Sequence, residues 1–253
     1  KKNSKFNHQI IIHLNEGSDG SLEYVKKNNY DYTYTKQNIG MPKALNQSSK
    51  LVKFDYILIS HDDFYFCPGW DIEFVNELER LNHKKFYLSG TMVGAGQVYF
   101  DAGETFQNFN EQKLINNIDQ IKTFDFQGTT KCPGLIHKET WNAVGGWSEE
   151  FSPTGGDDTD FAKKLWEFDV RIFKGLGKSL AYHFGSITTR KKNKSLFTYL
   201  GSRGNKIFLL KWGISINFFE KFYLQSGLDK NKKLIFNKFK KPLKNPKKNF
   251  SFY

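Results

Sequence analysis

The stretch Ile57-Leu58-Ile59-Ser60-His61-Asp62-Asp63 constrains this chain most, because an apolar run ends there in two adjacent acids. A run of this kind reads as a buried strand of a parallel sheet. In open α/β sheets, ligands sit in the crevice beyond the carboxyl ends of the strands. Two carboxylates there can hold a hard divalent cation, and that cation can hold a diphosphate. Taken alone, the segment equally fits a strand end whose acids are simply solvated.

The surrounding pattern sets the fold class. Strands are expected at residues 9–14, 32–35, 55–60, 85–88, 134–138, 170–173 and 179–182. Helices are expected at 22–27, 43–52, 71–81, 111–121 and 139–144, with a clear amphipathic helix carrying Phe161, Leu165 and Phe168. Their alternation implies α/β architecture, a mainly parallel sheet flanked by helices. Residues 94–130 are the least regular. Beyond Ser186 the character changes. Residues 205–212 and 216–224 read as helices with aromatic faces, and residues 231–252 as a Lys/Asn/Phe mixture broken by Pro242 and Pro246 and expected to be partly mobile. The expected organisation is a main domain over residues 1–189 and a helical, Lys-rich extension over 190–253.

Charge follows the same division. The net charge of +12 is carried unevenly over the 253 residues. Residues 190–253 hold 17 Lys and Arg against two acids, Glu220 and Asp229, for +15, while residues 1–189 stand at −3. The 25 Phe and 12 Tyr supply much of the core volume of a chain that is 38% hydrophobic. No apolar run approaches the roughly 18 residues of a membrane-spanning helix, and the polar first ten residues are unlike a signal peptide. Cys67 and Cys132 lie far apart, each beside a proline, and are expected as reduced, small apolar residues of a cytosolic protein. The chain starts at Lys1 and its methionines are Met41 and Met92, so a segment preceding Lys1 is expected.

Three further groups carry chemistry. Asp157-Asp158-Thr159-Asp160 opens a helix after two glycines. Acids in a first turn suit the macrodipole, but four capping-capable residues exceed what one cap needs. His183 ends a strand, where a structural histidine is the common case. Residues 15–20 form an acidic, Gly-rich turn.

The order of these groups resembles glycosyltransferase family 2, the GT-A (Rossmann-like) nucleotide-sugar glycosyltransferases. Asn15-Glu16-Gly17-Ser18-Asp19-Gly20-Ser21 is similar to the Asp-rich turn that receives the nucleotide base. Asn38-Ile39-Gly40 with Ala44 and Asn46 is similar to the N-x-G…A-x-N helix start. His61-Asp62-Asp63 resembles the D-x-D metal motif. Gly145-Gly146-Trp147-Ser148-Glu149-Glu150-Phe151 resembles the acceptor-side loop, and Asp157-Asp158-Thr159-Asp160-Phe161 the segment with the catalytic base. The resemblance covers residues 9–186. Asn15 stands for the usual Asp, Asp157 for the usual Glu, Leu45 for a common Arg, and His61 takes the first D-x-D position. The first strand of the fold has no counterpart upstream of Gln9, which would leave a sheet edge unpaired.

The resemblance implies an inverting, metal-dependent hexosyl transfer from a nucleotide-diphosphate sugar to an acceptor hydroxyl, in surface polysaccharide or glycolipid synthesis. Asp158 is then the base, with Asp157 as its neighbour. Asp63, with Asp62 and His183, holds Mn2+ or Mg2+. Asn15, Glu16, Asp19, Asn38, Gly40, Asn46 and Asp62 face the donor, and Gly146, Trp147 and Asp160 the acceptor. Trp147 fits a sugar-stacking or a core role equally.

The basic, aromatic extension suits an anionic membrane surface, and with it a glycan or lipid-linked acceptor and a cytoplasmic enzyme lying on the inner face of the membrane. A solvated basic helix is the bland reading. Rival functions are a non-catalytic nucleotide-sugar or glycan-binding relative and a nucleic-acid binder through the tail, against which stand the acidic balance of residues 1–189 and the lack of a recognised motif. A nucleotidyltransferase would leave the Gly-Gly-Trp loop unexplained.

Overall fold

The computed structural model describes residues 2–94, 96–185, 194–228, 234–235 and 237–246. Its first unit grows from two short apolar strands. β1 (Ile11–Asn15) and β2 (Asp31–Thr35) pair in parallel, linked by helix α1 (Ser21–Lys27). Glu23 in the first turn of α1 and Lys26 and Lys27 in the last complement the helix dipole. α2 (Met41–Ser49) starts with Pro42 in its first turn, where a missing N–H costs nothing, and buries Pro42 and Ala44. Among the described strands β1 pairs with β2 alone, so its other edge is unpaired, as expected.

The main sheet has six strands: β3 (Tyr56–Ile59), β4 (Phe64–Phe66), β5 (Phe86–Gly94), β6 (Phe126–Gln127), β7 (Gly134–His137) and β8 (Ile172–His183). Their order is β3-β7-β5-β8-β4, with β6 also on β8. The α/β class holds, but this sheet is mixed. β5 and β8 run parallel, and the other pairs are antiparallel. An apolar run reports that both faces of a strand are covered, and it carries no information on direction.

The two strands expected at 170–173 and 179–182 are one, β8. Its glycines look like a break but mark crossings. A Cβ on Gly175 would lie 2.0 Å from the Phe126 ring, and one on Gly177 would lie 2.2 Å from the Thr123 carbonyl oxygen. The helix expected at 111–121 is split at Asn117 into α4 (Glu111–Asn116) and α5 (Ile118–Ile121).

Alternate residues of β5 and β8 face opposite layers. Phe86, Leu88, Ile172 and Leu176 pack with Trp70 and Phe74 of α3 (Trp70–Arg80). Tyr87 and Phe173 pack with Trp141 of α6 (Lys138–Ala143) and with Phe161, Leu165 and Trp166 of α7 (Asp157–Glu167). Phe208, Phe219, Leu224 and Leu243 join that second layer, so the segment beyond residue 190 supplies part of the main core. Phe208 belongs to α8 (Lys194–Trp212), which begins well before the expected residue 205. Cys67 and Cys132 are free and buried. Of residues 231–252, expected to be partly mobile, 231–233, 236 and 247–252 lie outside the described residues.

Candidate active site

β3 ends at Ile59, and the chain turns through Ser60 to Asp63 before entering β4. Phe64 of β4 and His183 of β8 are paired residues of neighbouring strands, and their rings stack at 4.7 Å. That register brings the Asp63 carboxylate to the His183 ring, Oδ2 to Nε2 at 3.1 Å. The Phe184 N–H donates to the Asp63 carbonyl at 3.1 Å and fixes the turn. His61 lies behind the pair with its Nε2 buried and without a hydrogen-bond partner. Burial lowers its pKa against the opposing pull of Asp63, which favours a neutral ring. Asp62 points out and is exposed.

The second acidic group sits at the start of α7. Gly155 and Gly156 both have positive φ, 111° and 78°, and turn the chain into the helix. Asp157 is buried and accepts from the Gly155 N–H at 2.9 Å and from the Thr154 hydroxyl. Burial and the neighbouring Asp158 push its pKa up to about 6. Burial also works against ionisation of Asp158. There it is overcome by the Lys131 ammonium, paired directly with Oδ2, and by the Thr159 N–H on Oδ1 at 2.8 Å, so the carboxyl titrates below the usual range.

Glu220 completes this group from beyond residue 190, accepting from the Thr159 hydroxyl at 3.2 Å. Burial raises its pKa, with Lys131 acting in the opposite sense. Lys131 is held charged against desolvation by Asp158 and Glu220.

The two acidic groups share one region. The His61 ring senses the charges of Asp62, Asp63, His183 and Asp158. The Cys132 thiol is pushed up by burial and then by Asp158, Asp157 and Asp63. The strand-end pair and the helix-start acids therefore lie within electrostatic reach of each other, one offering a carboxylate and an imidazole, the other an ionised carboxylate beside a lysine.

Other predicted site residues have structural tasks. Trp147 is 2% exposed and stacks on Phe161 at 5.7 Å, so it is a core residue and cannot offer a face to a sugar. Asp160 is 0% exposed and accepts from Trp212 Nε1 at 2.7 Å and from Lys211 at 3.1 Å, which commits it to holding α8 rather than an acceptor. Asn46 clamps the loop of Trp147, accepting its N–H at 2.9 Å and donating to its carbonyl at 2.8 Å, so its amide is not available to a donor. Gly146 leaves room for that clamp, since a Cβ there would lie 2.5 Å from Asn46 Oδ1. Asn15 accepts from the Ile39 N–H, Asn38 from the Gly40 N–H, and Gly40 lies against the Pro153 backbone. The Asn15 contact ties the turn after β1 to the turn before α2, and Gly40 ties the latter to Pro153. Glu16 has a left-handed backbone with φ 70°, and Asp19 is exposed and accepts from the Ser21 N–H.

Sequence reading missed Lys131 and Glu220. Lys131 meets a partner 27 positions away, and Glu220 one 61 positions away. No local spacing marks either.

The donor set bears on a metal ion. Among the described residues no group of three or more His, Cys, Asp and Glu side chains is placed to hold one. Asp63 and His183 alone fit a different arrangement, in which a hard cation takes one or two protein ligands and the rest from water and substrate phosphates.

The family model described as Glycosyl transferase family 2 matches residues 1–132 of the 253. No curated protein matches the chain. Among solved structures, S. aureus TarS 1–349 is 13% identical with a TM-score of 0.52, covering 86% of this chain and 67% of that one. Its complex with UDP gives 0.51 over the same shares at the same identity. GalNAc-T7 with UDP, GalNAc and Mn2+ is 13% identical with a TM-score of 0.50, over 69% of this chain and 37% of that one. The chain thus spans little more than a third of GalNAc-T7, and likeness at this identity concerns the fold.

Proposed function

The chain belongs to glycosyl transferase family 2, and from that membership we propose that it moves a sugar from a nucleotide-diphosphate donor to an acceptor hydroxyl with inversion. The observation that carries this reading is the pairing of Asp63 with His183 within electrostatic reach of an ionised Asp158. Asp158 takes the proton of the acceptor hydroxyl as its oxygen attacks the anomeric carbon from the face opposite the leaving group. The new carbon–oxygen bond forms as the bond to the diphosphate breaks, and the nucleoside diphosphate leaves with the electron pair.

Asp63 and His183 would hold Mn2+ or Mg2+, with Asp62 at the rim toward the donor's sugar or ribose. When bound, such a cation stabilises charge gathering on the diphosphate. The turn bearing Glu16 and Asp19, braced through Asn15, Asn38 and Gly40, lies on the nucleoside side. Lys131 keeps Asp158 ionised, and Asp157 fixes the turn that presents it. In this reading residues 1–189 carry the transfer chemistry, and the extension over 190–253 closes the core and lends Glu220. The acceptor is a glycan or a lipid-linked sugar handled on the cytoplasmic side. The bound ligands named for GalNAc-T7, UDP and Mn2+, support a uridine donor and a divalent ion.

The test is a panel of nucleotide-diphosphate sugars with Mn2+ or with a chelator, read as release of nucleoside diphosphate. One donor is expected to turn over with metal, and to be lost with the chelator and in Asp63→Ala. No turnover of any donor rejects the reading, and turnover indifferent to chelator and to Asp63→Ala rejects the metal site.

A further inference from the structure

The face of α8 turned away from the core is unusual for a protein surface. Leu210 is 87% exposed, Tyr199 63% and Leu196 46%. These positions recur at the three- and four-residue steps that align side chains along one helix face. Arg203 and Lys206 stand on the same face, and Tyr199, Arg203, Lys206 and Leu210 line a shallow groove of about 250 Å³. Leu209, half-exposed, widens the apolar area. The 19 residues of α8 include four Lys and Arg and no acid, within a segment of net charge +15. Apolar side chains held out among cations, with no acid between them, match an anionic lipid surface. The apolar groups enter the acyl boundary while the cations meet phosphate headgroups. No described helix is long and apolar enough to cross a membrane, so α8 would lie on the surface.

We propose that the exposed face of α8, centred on Tyr199, Lys206 and Leu210, docks the protein on an anionic lipid bilayer.

The position of α8 gives the docking a purpose. Arg203 donates to the Glu150 carbonyl at 2.8 Å, and Lys211 reaches the Ser148 hydroxyl at 2.8 Å and Glu150 at 2.7 Å. Gly204 abuts Gly155 so closely that a Cβ on it would lie 1.9 Å from the Gly155 carbonyl oxygen. α8 therefore rests on the loop that leads directly into Asp157 and Asp158. A bilayer under α8 lies beside the acceptor side of the site, where a lipid-linked acceptor would arrive. The surface itself is independent of the transfer chemistry, and only this last step rests on it.

Co-sedimentation tests the surface without any turnover. The full chain is mixed with vesicles of phosphatidylcholine alone or of an equimolar phosphatidylcholine–phosphatidylglycerol mixture. Binding is expected to the mixed vesicles only and to weaken in about 1 M salt, where charges are screened beyond about 3 Å. Leu210→Glu and Tyr199→Glu should each weaken binding by about tenfold, and Lys206→Glu by at least about fivefold. These side chains are exposed, so the folded state survives, checked by an unchanged melting temperature.

Wild type that stays in solution with both vesicles overturns the proposal. So does wild-type binding by Leu210→Glu, or binding lost only when residues 229–253 are removed. A dimer of the free chain that Leu210→Glu dissociates assigns the face to a second copy and equally overturns it. Asp158→Asn should bind vesicles as wild type does, which separates failure of the surface from failure of the transfer reading.

Discussion

Asp63 meets His183 because Phe64 and His183 are paired residues of neighbouring strands, whereas Asp158 meets Lys131 and Glu220 across elements that share no ladder. The first contact is set by backbone hydrogen bonds of β4 and β8. The second is set by side chains reaching from the 128–133 loop, from the first turn of α7 and from the segment beyond residue 215. A ladder holds its geometry wherever the sheet forms. A three-charge group is instead a balance that shifts with the loss of any member, because each charge sets the protonation of the others. The strand-end pair is therefore built as a fixed point and the helix-start group as an electrostatic assembly.

Substitutions can break or sharpen that contrast. Asp158→Asn should lower transfer by about 10²–10⁴-fold, the usual worth of a positioned base, while calorimetry shows donor binding unchanged. Near-normal turnover would remove Asp158 from the chemistry and leave the charge group a structural one.

Lys131→Met should act through pH rather than through the maximal rate. With the cation gone, burial is opposed only by the Thr159 hydrogen bonds and the Asp158 pKa rises, so the acid limb of kcat/KM moves to higher pH by about one unit or more. Lys131→Arg should restore the limb. The groups facing Asp158 are Lys131, Asp157, Glu220, Cys132 and His61, and only the first is a standing cation against it. An unmoved limb in Lys131→Met would mean that the helix-start group is as rigidly set as the strand-end pair.

Asp157→Asn is the smallest effect. Its folded pKa, about 6, lies above the ordinary aspartate value of about 3.9. The stability it contributes is therefore full below about pH 4 and is lost as pH rises through about 6. Asparagine keeps an oxygen for the Gly155 N–H and removes the buried charge. At pH 7 the variant should gain about 1–2 kcal/mol, and its stability should be flatter between about pH 4 and 6, measured by denaturant unfolding across that range. A variant less stable than wild type at pH 7 would show that ionised Asp157 is favourably held.

The contrast also explains what the sequence disclosed. Apolar runs bounded by polar turns announced β3, β7 and the start of β8, and an acid or histidine at a strand end is visible because the run itself points to it. Strand direction was not visible, because burial on both faces leaves the same pattern in a parallel and an antiparallel strand. Motif order brought Asp158 into view but could not separate it from Asp160, two positions on in the same helical turn. One acid faces Lys131 and the other is closed under Trp212. Nothing in a linear pattern records which. Asn46 and Trp147 illustrate the same limit: a side chain expected to face the donor and a ring expected in the acceptor loop belong to one structural clamp, Asn46 of α2 holding the Trp147 main chain. Lys131 and Glu220 were invisible because their partners are brought to them only by the packing of the core.

The contact of Gly155 with Gly204 has a mechanical consequence. Two main chains meet there with no side chain between them to bend or change rotamer. A shift of α8 along its axis is passed to the Gly155 carbonyl undamped, and the acids Asp157 and Asp158 follow two and three residues on. The height of the acid pair above whatever supports α8 is thus fixed like the foot of a gauge. A bulkier residue at position 204 would lengthen that foot, moving the acid pair relative to its support before it altered the charges around it.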